Sequence, residues 1–110
     1  MAGTNLKQDV FFYGSFMDPK ILRRHGAHPT NVRTARLHDW AIQFTALATI
    51  FRKRGSAVWG VLAKATPQEL ERIYSEELYP QVGPGHRYFP EAIVVSTRTG
   101  RKLSALVYVS

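Results

Sequence analysis

No cysteine occurs in the 110 residues, so neither a disulfide nor a thiolate metal site is available and the fold must rest on burial alone. No apolar run approaches the roughly 20 residues that carry a helix across a bilayer. Residues 1–8 are polar, without the basic-then-apolar layout of a signal peptide, and are expected to be flexible. These absences suit a cytoplasmic protein with no membrane partner. Acidic residues are scarce too, eight against fifteen Lys and Arg, a formal net charge of +7. Such a surplus draws acidic small molecules and polyanions at long range but says nothing of fold. Gly-x-Ser-x-Gly, a phosphate-binding loop and a dinucleotide fingerprint are all missing. Ser15 therefore has no nucleophile elbow around it. His25 and His28 have no carboxylate cluster and are expected in solvent, so no metal and no cofactor is expected. His86, in a Gly-Pro loop, reads as a surface histidine.

What is present is an ordinary globular balance, 45% hydrophobic and 21% charged, enough for one domain over residues 1–110. Residues 10–13 are a β-prone run cut off by Gly14 and Ser15. Asp18-Pro19 opens a short helix and Gly26 closes it. Residues 25–34 read as a basic loop, and 35–45 as a strand with an irregularity near His38-Asp39. Residues 46–51 form a short apolar stretch ended by a basic turn, Arg52-Lys53-Arg54-Gly55. Residues 57–63 are apolar on both alternating faces, a strand covered on both sides, and Gly60 within it signals bending or close backbone approach. Trp40, Trp59 and the Phe11-Phe12 pair are expected in the core. Thr66 and Glu69 have capping-box spacing with Pro67 at the first helical position, predicting a helix to about Glu77 or Leu78. Strands over 92–97 and 103–109, joined near Thr99-Gly100, complete an α+β chain with a curved or closed sheet.

In the second helix Leu70, Ile73, Tyr74 and Glu77 stand at i, i+3, i+4 and i+7, one stripe of an α-helix. A carboxylate on the core side is costly unless hydrogen-bonded or neutral. Desolvation would raise its pKa and make it a proton shuttle near pH 7. With Pro80 following, a frayed last turn that frees Glu77 to solvent accounts for the pattern equally well. Glu76 takes the role if the helix is phased one residue differently.

Residues 12–17, Phe-Tyr-Gly-Ser-Phe-Met, resemble the "YGS/T" signature of the gamma-glutamylcyclotransferase-like family. Residues 48–50, Ala-Thr-Ile, and 58–62, Val-Trp-Gly-Val-Leu, are similar to its "ATI … VWGV" segment. Residues 70–78 resemble its "L-D-x-x-E-G" helix end, which places the family's catalytic glutamate on Glu77, and Tyr88 resembles the tyrosine that follows. Tyr74 stands for the usual aspartate, Leu78 for the glycine, and the Gly83-Pro84-Gly85 loop lengthens the path to Tyr88. The resemblance implies a small mixed β-barrel with flanking helices and a cofactor-free cyclisation of a gamma-glutamyl small molecule to 5-oxoproline and an amine or amino acid. It makes Glu77 the acid/base, Tyr13, Gly14, Ser15 and Phe16 the substrate cradle, and Tyr88 a supporting residue. The rival is a non-catalytic small-molecule or nucleic-acid binding module on the same fold, using Arg23-Arg24, Arg33, Arg36 and Arg52-Lys53-Arg54. These residues are scattered and no RNA-binding signature accompanies them, so nucleic acid is not the expected partner.

Overall fold

The computed structural model describes residues 6–44, 48–74 and 88–110. Strand β1 (Gln8–Phe12) shows the logic of the whole. Val10, Phe11, Phe12 and, just past it, Tyr13 are all buried, so both faces of the strand are covered. Phe11 and Tyr13 point into a core with Leu37, Trp40, Leu62, Val95 and Val107. Val10 and Phe12 point outward, onto Leu22 of the first helix and Leu70 and Ile73 of the second.

The strands are β1, β2 (Thr30–Phe44), β3 (Ala48–Ala65), β4 (Phe89–Thr97) and β5 (Lys102–Val109). They close into a barrel in the order β1-β3-β2-β4-β5. Neighbours are antiparallel except β1 and β5, which run parallel through Val10↔Leu106 and Phe11↔Val107. The architecture is the closed sheet that the residue pattern predicts and the small mixed barrel with flanking helices that the family resemblance implies.

The irregularity expected near His38-Asp39 is present as a register shift between His38 and Trp40, with Asp39 at φ 67°. Asp39 Oδ1 accepts the Gly55 N–H at 3.0 Å. Arg52-Lys53-Arg54-Gly55 is therefore not the turn its charges suggest: the four residues lie within β3, bulged between Arg52, opposite Trp40, and Ala57, opposite His38. The 25–34 loop is corrected likewise, since β2 begins at Thr30 and absorbs Asn31 in an irregularity before Arg33. Trp59 is a third correction. Val58 faces the barrel interior, so Trp59 faces out where no helix lies, and it is 55% exposed. Gly60 is as read: a Cβ there would collide with the Phe12 carbonyl oxygen and the Phe11 ring.

Helix α1 (Pro19–Arg24) starts where the Asp18 side chain accepts the Lys20 N–H at 2.9 Å. It ends in a Schellman pair, with Ala27 and Gly26 N–H donating to the Leu22 and Arg23 carbonyls. Helix α2 (Pro67–Ile73) carries the full capping box and buries Leu70 and Ile73 as its periodicity predicts. Its described part ends at Ile73, with Tyr74 as C-cap, and the expected stretch to Glu77 or Leu78 lies outside the described residues. No helix among the described residues is long and apolar enough to cross a membrane.

The buried carboxylate in the described residues is Glu69, 8% exposed. Its oxygens accept the Thr66 N–H at 2.8 Å and the His28 N–H at 2.5 Å. Burial pushes its pKa up, but the backbone bonds from Thr66 and His28 outweigh burial and hold it below the ordinary 4.5. A depressed carboxylate stabilises the fold fully above the unfolded-state value and loses that contribution as pH falls through the folded one. Acid unfolding of the wild type should steepen below about pH 4.5. In Glu69→Gln that component should vanish and neutral stability should fall by about 1–3 kcal/mol, as urea titrations at pH 7 and pH 3 would measure.

Candidate functional site

Five segments meet at the barrel mouth where β1 ends, and the bulged β2–β3 hairpin supplies one of them. Beyond the bulge the hairpin returns through Ala48, whose Cβ would stand 3.4 Å from a Cβ placed on Gly14. Gly14 lies at φ 63°, a left-handed conformation that costs an L-residue about 1–2 kcal/mol. There the chain leaves β1 and enters a 3-10 turn, Gly14–Met17. Glycine permits both the turn and the nearness of the hairpin.

The Tyr13 hydroxyl donates to the Tyr108 carbonyl at 2.6 Å, fixing the exit of β1 to the end of β5. Tyr88, just ahead of β4, donates its hydroxyl to the Ala48 carbonyl at 2.5 Å. Tyr74 at the end of α2 packs between them, stacked on Tyr108 at 4.2 Å and 9° and tilted against Tyr88 at 5.2 Å. Phe16 meets Tyr74 edge-on at 5.5 Å, and His25 meets Phe16 at 6.2 Å. Arg52, on the same hairpin arm, lies 4.7 Å above the Trp40 ring and donates to Glu91 Oε1 at 2.8 Å.

The structure thus brings together Tyr13, Gly14, Phe16 and Tyr88. Ser15 sits in the same turn, exposed, with its carbonyl accepting the Asp18 N–H. Glu77, its alternative Glu76, and His86 lie outside the described residues. His28 is used through its backbone, on Glu69. Among the described residues no three His, Asp or Glu side chains gather as metal ligands would. Sequence reasoning passed over Tyr74 as a site residue, because helical spacing files it with the core. It also passed over Tyr108, whose only signal is a tyrosine in an alternating apolar strand.

Burial pushes the Tyr88 and Tyr108 phenols above their ordinary pKa of 10. Both stay protonated at neutral pH, donors rather than bases. These two phenols can therefore position a ligand but not abstract a proton from it near pH 7. Raised phenol values add stability below pH 10 that is lost as pH rises through the folded pKa. Absorbance titration near 295 nm should show a tyrosine fraction that ionises later than free tyrosine, and Tyr88→Phe should remove part of it.

The family model for "Gamma-glutamyl cyclotransferase, AIG2-like" matches residues 10–110. A solved gamma-glutamyl cyclotransferase superposes at TM-score 0.72 with 24% identity, covering 94% of this chain and 66% of its own. An uncharacterized Homo sapiens protein gives 0.70 and 25%, covering 96% of this chain and 67% of its own. An Arabidopsis thaliana protein solved in solution gives 0.74 and 19%, covering 94% and 68%. The chain thus spans about two thirds of each, and the similarity to them is one of fold. Comparison with curated proteins gave no significant match.

Proposed function

We propose for this chain, which belongs to the gamma-glutamyl cyclotransferase, AIG2-like family, the intramolecular cyclisation of a gamma-glutamyl group. The products are 5-oxoproline and a free amine or amino acid. The observation that carries this reading is the convergence of the Gly14 bend, Ala48 and Tyr88 at one barrel mouth. The reaction asks for such a place. The α-amine of the glutamyl unit attacks its own γ-carbonyl, so holding the unit curled supplies much of the rate through orientation.

In the proposed mechanism the attacking amine loses a proton as its C–N bond forms. The leaving nitrogen gains one as the old C–N bond breaks. One carboxylate performs both transfers in turn. The phenols at the mouth are held protonated by burial, and the resemblance to the family motif assigns the role to Glu77. Glu77 follows Tyr74 by three residues, and consecutive Cα atoms are about 3.8 Å apart, so the two α-carbons lie within about 11 Å. Backbone N–H groups of Gly14, Ser15 and Phe16 would take the substrate carboxylate or the developing oxyanion. Tyr13 and Tyr88 hold the walls through their bonds to the Tyr108 and Ala48 carbonyls.

The test is incubation of the purified protein with a panel of gamma-glutamyl amino acids and amines, with 5-oxoproline measured. Release from at least one member supports the reading. Silence across the panel would remove it and leave a binding role for the same cleft.

A further inference from the structure

We infer that the barrel wall turned away from the helices is a second binding surface, for single-stranded nucleic acid. Basic residues that are scattered in the sequence come together there. Arg36 on β2 pairs with Trp59 on β3 and with Ser96 on β4, and Ser96 pairs with Lys102 on β5. Directly paired residues share a face of a sheet, so the four side chains form one row across the outside of the barrel. With strands about 4.8 Å apart the row spans roughly 14 Å, room for a few nucleotides.

Trp59 is 55% exposed in this row, and the Arg36 guanidinium lies 5.1 Å from its ring centroid. Alternation explains why position 59 faces outward, but a polar residue would satisfy alternation equally well. A large π-face held open beside a cation is the arrangement on which an unpaired base stacks, whatever its identity. Next to the row, β2 and β4 pair only at Ala35↔Thr97 and Arg36↔Ser96 before parting. The gap opens into a cleft of about 500 Å³ lined by Arg33, Arg98 and Arg101 with Thr97 and Thr99. Among the described residues no acidic one lines it. Arg33 is partly committed to Asp9 at 3.3 Å, so Arg98 and Arg101 supply most of the charge for phosphate.

Guanidinium and hydroxyl donors beside an open indole match phosphate and base together, on a protein of net charge +7. A duplex hides its base faces and could use only the charges. Of the scattered arginines on which the sequence-based expectation against nucleic acid partly rested, Arg33 and Arg36 are brought here beside Arg98, Arg101 and Lys102.

Fluorescence anisotropy with the full chain and a labelled ten-residue oligothymidylate, over a range of salt, tests this. Binding at low salt should weaken about tenfold in Trp59→Ala, with Trp59→Phe retaining most of it. Arg98→Ala with Arg101→Ala should reduce the steepness of log K against log salt by roughly 1.4, about 0.7 for each phosphate no longer neutralised. Circular dichroism should show all three variants folded. Absence of binding at low salt would overturn the inference. So would binding indifferent to Trp59→Ala, or a duplex bound as tightly as the single strand. A concentration-dependent dimer abolished by Trp59→Ala would give the surface to a second copy of the chain instead.

Discussion

Replacing Glu77 by glutamine should lower kcat for 5-oxoproline release by roughly 10²–10⁴-fold with little change in KM. The amide keeps the size and hydrogen-bonding shape of the side chain and removes only its ability to exchange a proton. A loss confined to kcat would mark a group acting in the transition state and not in ground-state binding. The Tyr88 and Tyr108 phenols do not substitute for it, because burial pushes them further from neutrality. Glu76→Gln should leave the rate near that of the wild type. The opposite result, full activity in Glu77→Gln and loss in Glu76→Gln, would move the role by one residue.

Gly60→Ala should destabilise the protein by about 3 kcal/mol or more, at the upper end of what overpacking costs. For a domain of this size that is a fall in Tm of about 15 °C. The single added carbon would have to share space with the Phe12 carbonyl oxygen and the Phe11 ring. One of those is backbone and the other is fully buried in the barrel core, so neither can yield cheaply. Gly100→Ala would encounter nothing within 4 Å. Any loss there should come from its φ of 87° alone, about 1–2 kcal/mol. A smaller loss at Gly60 than at Gly100 in thermal melts would contradict this packing.

What the sequence made legible was mostly what is local. The Thr66–Glu69 capping box, the Asp18 cap, the Gly26 stop and the Thr99-Gly100 turn each depend on atoms a few residues apart, and all are in place. The His38-Asp39 irregularity was legible too, but its consequence was not. Arg52 to Gly55 look like a turn until Asp39, sixteen residues away, accepts the Gly55 N–H. Trp59 was misread because hydrophobicity suggests a core, whereas exposure depends on which strand faces the helices cover. Glu69 was read as a cap alone, since its second donor, His28, is 41 residues distant. The family signature names Tyr13 to Phe16 and Tyr88, residues that lie near one another at the barrel mouth. The ring cluster of Tyr74, Tyr88 and Tyr108 joins three distant segments that no local pattern links. The helical stripe offered for Glu77 is described only as far as Tyr74, so that assignment rests on the family motif and on chemistry.

The most direct measurement is a two-dimensional amide NMR titration of the isotope-labelled protein with 5-oxoproline. Seating of the product beside the glycine bend predicts shifts concentrated at Tyr13 to Phe16, Ala48 and Tyr88, with Arg98 to Arg101 at the far end of the barrel unmoved. Shifts that cluster around Arg98 to Arg101 and leave Gly14 and Tyr88 unchanged would contradict it.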